Sequence, residues 1–154
     1  MNTAMKLGVS SLLLSLAAGL AAFAPAASAQ STSTGLIRNA AHGGCLTVSS
    51  TGLAIFQACN GSAVQQWTQI NLGSHVLLRN AATGRCLDTL ASGATVFSSA
   101  CNGNVGSQRW SRFFVGTGAA RFQSAVSPRF LASDTTLKVV TAPYSSSALQ
   151  VWLF

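Results

Sequence analysis

Acid is what this chain has least of. Asp88 and Asp134 are the only acidic side chains among 154 residues, and Asp, Glu, Lys and Arg together make up 7%, against about 25% in ordinary globular domains. The shortage excludes chemistry built on paired carboxylates, such as glycoside hydrolysis by an acid and a base. It also excludes the oxygen-rich cages that hold calcium or magnesium. No Gly-x-Ser-x-Gly elbow, no Gly-rich phosphate loop and no tight Cys-x-x-Cys pair occurs, so hydrolase, nucleotide and four-cysteine zinc signatures are missing. His42 and His75 have no His or Cys at ligand spacing. These absences predict a protein that is not an enzyme, binds no metal and needs no cofactor. No nucleic-acid motif accompanies the basic residues. What is present is hydrophobic: 49% of the chain, with eight Phe and three Trp, which excludes intrinsic disorder. The formal charge of +7 follows from missing acid as much as from added base.

The amino terminus reads as a secretory leader. Met1 to Lys6 is short and basic, residues 7–22 are almost unbroken apolar, and Ala27-Ser28-Ala29 gives a small-x-small cleavage signal before Gln30. The apolar run is shorter than the roughly 20 residues a membrane span needs, and no later stretch is longer. The expected division is therefore a leader over 1–29 and one domain over 30–154, exported to the periplasm or the medium. Cleavage would remove Lys6 and one unit of the formal charge.

All four cysteines lie beyond the leader. An even count in a small exported domain reads as disulfides. Cys45 and Cys59 are 14 residues apart, Cys86 and Cys101 15 apart. Near-equal short separations predict Cys45–Cys59 and Cys86–Cys101, one bridge in each of two similar units.

Those units are repeats. Residues 36–46 read LIRNAAHGGCL and residues 77–87 read LLRNAATGRCL, shifted by 41. Each leads to Cys-Asn-Gly, at Cys59 and Cys101, and closes on Gln-x-Trp, at Gln65-Gln66-Trp67 and Gln108-Arg109-Trp110. A weaker third copy begins FQSAVSPRFL at Phe122 and closes on Gln150-Val151-Trp152. Short β-type runs at 36–39, 45–48, 53–57 and 67–70 are separated by Gly, Ser and Asn. The reading is all-β: three four-strand units around one core, closed by a Trp each, as a barrel capped by hairpins. Gln65, Gln108 and Gln150 are expected to bond to backbone, while Trp67, Trp110 and Trp152 fill the interior.

Three Gln-x-Trp motifs at this spacing, with Gly-x-Cys-Leu and Cys-Asn-Gly before them, resemble the ricin B-chain-like lectin family over essentially all of 30–154. The resemblance implies a β-trefoil that binds carbohydrate. It also implies an Asp after Cys-Leu to accept bonds from vicinal sugar hydroxyls, an aromatic before the second Cys to stack on the sugar, and an amide before Gln-x-Trp. Only the second repeat keeps the acid. Asp88 is there, with Phe97, Asn102 and Ser107 as its helpers. In the first repeat the positions hold Thr47, Phe56 and Val64; in the third, Ala132 and Leu149, with Phe130 in place of the first cysteine and Tyr144 as an available ring. Asp134 falls two residues late. Asp88 has a second reading as a structural acid beside Arg85, and Phe56 and Phe97 as core.

Seven Arg carry most of the remaining charge, with Arg38 and Arg79, and Arg85 and Arg129, at equivalent repeat positions. They serve solubility or attract anionic surface glycans. The expected function is a secreted lectin acting mainly through the second repeat. The alternative is a protein-interaction or toxin-delivery subunit that keeps the scaffold with degenerate sugar sites.

Overall fold

The computed structural model describes residues 32–91, 93–136 and 138–154; the expected leader lies outside them. Thirteen strands run in chain order as β1 (Thr32–Leu36), β2 (Arg38–Asn39), β3 (Cys45–Val48), β4 (Ala54–Gln57), β5 (Gln66–Asn71), β6 (Val76–Asn80), β7 (Cys86–Thr89), β8 (Val96–Ser99), β9 (Trp110–Gly116), β10 (Ala119–Ser124), β11 (Arg129–Ser133), β12 (Val139–Pro143) and β13 (Trp152–Leu153). β1 and β2 are one strand interrupted at Ile37. The β-runs read from sequence correspond to real strands, with ends shifted by one or two residues and β1 starting earlier. Three 3-10 turns, Ala63–Gln65, Gly106–Gln108 and Ala148–Gln150, had no periodic signal. They are too short to leave one, and each delivers its Gln to the start of a strand.

The pairing closes on itself. β1 pairs β5, β5 pairs β6, β6 pairs β9, β9 pairs β10, β10 pairs β13, and β13 pairs β2. Six strands thus make a barrel without a free edge around its waist, which removes the hazard of open sheet edges. The other six form hairpins β3–β4, β7–β8 and β11–β12. Three single bridges join them in a triangle, Leu53 to Phe97, Ile55 to Lys138 and Thr95 to Val140. A six-stranded barrel capped by three hairpins with threefold pseudosymmetry is a β-trefoil.

The core follows the repeat. Ile37, Leu78 and Phe122 occupy one equivalent position, Leu46, Leu87 and Leu131 another, and Trp67, Trp110 and Trp152 a third; all nine are at most 1% exposed. Each indole N–H donates to the carbonyl of the leucine in its own repeat: Trp67 to Leu46 at 2.9 Å, Trp110 to Leu87 at 3.2 Å, Trp152 to Leu131 at 2.9 Å. Each glutamine brackets the turn ahead of it. Gln65 accepts from the Asn60 N–H and donates to Ala58 O; Gln108 does so with Asn102 and Ala100, and Gln150 with Ser145 and Pro143.

Both expected disulfides are present, with Cα separations of 5.1 and 4.9 Å. The same glutamine bonds identify what replaces the third. Pro143 and Ser145 match the residues flanking Cys59 and Cys101, so Tyr144 stands in the second cysteine's place. Phe130 stands in the first, and their rings meet edge-on at 5.4 Å. The third β-turn differs too. Gly43 and Gly84, at φ +67° and +66°, close turns back to Asn39 and Asn80. Pro128 takes their place in the third repeat, and proline has neither that φ nor the N–H.

A tight approach pins the carboxyl-terminal strand. Gly118 has φ +65°, a Cβ there would lie 2.9 Å from the Phe154 carbonyl oxygen, and Phe154 N–H donates to Gly118 O. Gly118→Ala is therefore expected to destabilise by about 1–3 kcal/mol in urea unfolding. Gly116→Ala, where nothing stands within 4 Å, should change stability by less than about 0.5 kcal/mol.

Candidate functional site

The β7–β8 hairpin carries the one acid at the repeat's expected position. Its ladder sets Asp88 opposite Phe97 and Cys86 opposite Ser99. Side chains opposite each other or two apart share a face, so Cys86, Asp88, Phe97 and Ser99 lie on the face turned away from the core, while Leu87 and Val96 enter it. Asp88 is 7% exposed and its carboxylate is heavily engaged. Oδ1 accepts from the Thr89 N–H at 2.8 Å; Oδ2 accepts from the Ser99 hydroxyl at 2.5 Å and from Gln108 Nε2 at 3.1 Å. Arg85 does not pair with it: Nε and Nη2 both donate to the Ser98 carbonyl.

Of the other helpers, Phe97 is half-buried beside Asp88, and its backbone bridges to Leu53. Asn102 is exposed, its N–H held by Gln108 and its side-chain oxygen accepting from the Asn104 N–H at 2.9 Å, so it organises a turn. Ser107 is half-buried in the 3-10 turn before Gln108. Gln108 joins two of the four, donating to the Asp88 carboxylate and accepting from the Asn102 N–H; Phe97 lies across the ladder from Asp88, and Ser107 precedes Gln108 in the chain.

The first repeat shows what a single-residue offset does. Phe56 lies three residues before Cys59, Phe97 four before Cys101. The shift of one reverses the face: Phe56 pairs with core Leu46 and stacks on Trp152 at 5.6 Å. The position opposite Thr47 holds Ile55, and Thr47 turns its hydroxyl to Cys45 O at 3.0 Å and takes Gln65 Nε2 at 3.3 Å. Val64 and Leu149, where an amide is usual, present carbonyls to the next unit: Asn80 Nδ2 donates to Val64 O at 2.8 Å and Asn39 Nδ2 to Leu149 O at 2.9 Å. Asn39 and Asn80 thus stitch neighbouring repeats. The sequence signal for that role was their shared place in Arg-Asn-Ala-Ala.

Asp134 lies outside any such site. It accepts from the N–H of Thr136 and of Lys138, both at 2.8 Å, and from the Thr136 hydroxyl, closing the β11–β12 turn. Its carboxyl sits below the ordinary range: desolvation, the largest single influence, pushes the other way, but these hydrogen bonds and the Lys138 charge together outweigh it. A cleft of about 370 Å³ in the first repeat, lined by His42, Gly43, Gly44, Phe56, Gln57 and Cys59 among others, holds no carboxylate. Among the described residues, no three His, Cys, Asp or Glu gather as a metal set, and no helix is long and apolar enough to cross a membrane.

A family model described as a ricin-type beta-trefoil lectin domain matches residues 33–152. The chain belongs to the ricin-type β-trefoil lectin family. Comparison with curated protein sequences found no match. Among solved structures, this ricin-type lectin is similar to the designed threefold-symmetric protein ThreeFoil, at 24% identity and TM-score 0.72, covering 78% of this chain and 96% of that one. It is similar to the Macrolepiota procera ricin B-like lectin in complex with lactose, at 18% identity and TM-score 0.68, over 79% and 93%. A third is the GlcNAcα1-4Gal-releasing endo-β-galactosidase of Clostridium perfringens, at 17% identity and TM-score 0.72, over 78% of this chain and 32% of the enzyme. In that enzyme the matching part is less than a third of the chain. At these identities the likeness shows the fold.

Asp88→Ala strands the Ser99 hydroxyl, the Gln108 amide and the Thr89 N–H, and is expected to cost about 1–3 kcal/mol in urea unfolding. Asp134, with its lowered pKa, stabilises the fold above the unfolded carboxyl value of about 3.9 and loses that effect as pH falls through the folded value. Asp134→Asn should therefore lower the urea midpoint slightly at pH 7 and match the parent protein in strong acid.

Proposed function

We propose that this lectin is an exported carbohydrate-binding protein whose main site is the second repeat, with Asp88 as hydroxyl acceptor, Phe97 as flanking apolar surface, and Asn102 and Ser107 at the rim. Membership of the lectin family supports carbohydrate binding in general, as do neighbours solved with lactose and with the asialo-GM1 saccharide. The observation that carries the choice of repeat is the Asp88 carboxylate on the outer face of β7, where the equivalent residues are Thr47 and Ala132. Charge-assisted bonds to a carboxylate are roughly twice as strong as neutral ones, and a carboxylate can take about four donors. Three are already in place. A sugar hydroxyl would take the free position on Oδ1, and a second would displace the Ser99 hydroxyl, whose oxygen keeps the Gln108 amide as partner.

Export is proposed on the leader-like residues 1–29 and on two disulfides that suit an oxidising compartment. The domain would then begin near Gln30, and amino-terminal sequencing of the exported product tests this. The seven Arg favour an anionic glycan among surface ligands.

A second reading has its own support: Asp88 is nearly sealed by its internal partners, and two of three repeats lack the acid. A trefoil kept as scaffold for a protein partner, as in a toxin-delivery subunit, would look like this. A glycan array with the native chain and with Asp88→Asn separates the two. The first reading expects binding to at least one glycan and a loss of about tenfold or more in the variant. Undiminished binding by the variant discards Asp88 as anchor. Absence of any glycan binding, with capture of a defined protein partner, establishes the second reading.

A further inference from the structure

On the outer side of the third repeat stand four side chains that the Asp88 site does not use. Arg121 lies opposite Phe113 in the β9–β10 ladder, so the two project from the same face. Its guanidinium carbon lies over the Tyr144 ring, 5.7 Å from the centroid. Phe130 fills the space beneath, its ring 5.9 Å from that of Phe113 and 5.4 Å from that of Tyr144. Phe130 is 8% exposed, whereas Tyr144 is 63% and Phe113 48% exposed. A contact standing in for the missing disulfide needs only Phe130 against Tyr144. It does not need two rings left in water on either side of an arginine.

The arginine itself is underused. Among the described residues it makes one hydrogen bond, from Nη2 to the Ser146 carbonyl at 3.2 Å, and its Nε is buried with no partner. Neither aspartate neutralises it: Asp88 is held by Thr89, Ser99 and Gln108, and Asp134 by Thr136 and Lys138.

The geometry points to a binding site for an anionic saccharide, its ring lying on Tyr144 and Phe113 and its carboxylate or sulfate on Arg121. A guanidinium only donates, so the site offers a neutral sugar's hydroxyls no charged acceptor. The same planar fork matches a carboxylate or sulfate well. The two aromatic surfaces take the apolar face of the pyranose. The acid position of this repeat is Ala132 and Tyr144 occupies a cysteine's place, so the site is not a copy of the one around Asp88. It rests on the reading of the chain as a glycan binder and not on Asp88.

The test is an amide NMR titration of the exported protein with four probes: oligogalacturonate, its methyl ester, 3′-sialyllactose and lactose. The acidic probes are expected to shift the amides of Arg121, Tyr144, Ser145 and Ser146, and esterification to weaken binding about tenfold or more. Arg121→Gln and Tyr144→Ala should each weaken acidic binding by about the same factor, and Tyr144→Phe should retain it. Should Tyr144→Ala fail to fold, Arg121→Gln and the ester comparison decide. Failure of both acidic probes to bind the parent protein, equal affinity for the ester, or shifts confined to Asp88, Phe97 and Ser99 would overturn the proposal. Lactose reads the second repeat separately: its failure to shift Asp88 and Ser99 counts against that site and leaves this one standing.

Discussion

One contact, made three times, organises the molecule: an indole N–H donating to a leucine carbonyl about twenty residues upstream in the same repeat. It joins the last barrel strand of each unit to the first strand of its cap. A tryptophan can be buried at this cost only because its one polar atom is satisfied. The glutamine two residues earlier fixes the approach by bracketing the turn before it with both amide atoms. Together the pair sets where a barrel strand begins, where a hairpin ends and how one lies on the other. Because no unit can cover its own apolar face, the three must associate, and Asn39 and Asn80 supply polar seams between them.

That dependence explains how the third repeat can drift. Its tryptophan and glutamine make the same bonds as in the other two. Around them the cysteines have become Phe130 and Tyr144, the turn glycine has become Pro128, and the stitching asparagine has become Ser124, which now holds only its own turn through the Val126 N–H. Disulfide, turn and seam are each replaceable by a local substitute. The Gln-x-Trp bracket is not, since the cap would then lose its register on the barrel.

The same architecture separates structure from ligand chemistry. Inward positions on the caps, such as Leu46, Ala54, Phe56, Leu87, Val96, Leu131 and Val139, are apolar side chains that the core dictates. Outward positions are free to vary, and they do: Thr47, Asp88 and Ala132 occupy one such place. With so few acids in the chain, a carboxylate on that face is conspicuous, yet Gln108 and Ser99 draw it into the scaffold as well. Gln108 bonds both the Asp88 carboxylate and the turn before its own tryptophan, so the proposed site in the second repeat is tied to the lock of its own hairpin.

The repeat spacing, the disulfide pairing and the all-β class were legible in the chain because each is a periodicity or a separation, and those survive projection onto one dimension. The position of Asp88 on its strand, directly after Cys-Leu, was legible for the same reason, by its register within the repeat. Which ring faces away from the core and which packs on it was not, because one residue of offset between Phe56 and Phe97 reverses the side of a strand. Nor was the gathering of Phe113, Arg121, Phe130 and Tyr144: they come from four strands and loops spread over more than thirty residues. Only the pairings of β9 with β10, β10 with β11 and β11 with β12 bring them to one surface. Sequence fixes what recurs at regular intervals; side-chain direction and cross-strand neighbourhood are properties of the pairing, and exist only once the strands have found their partners.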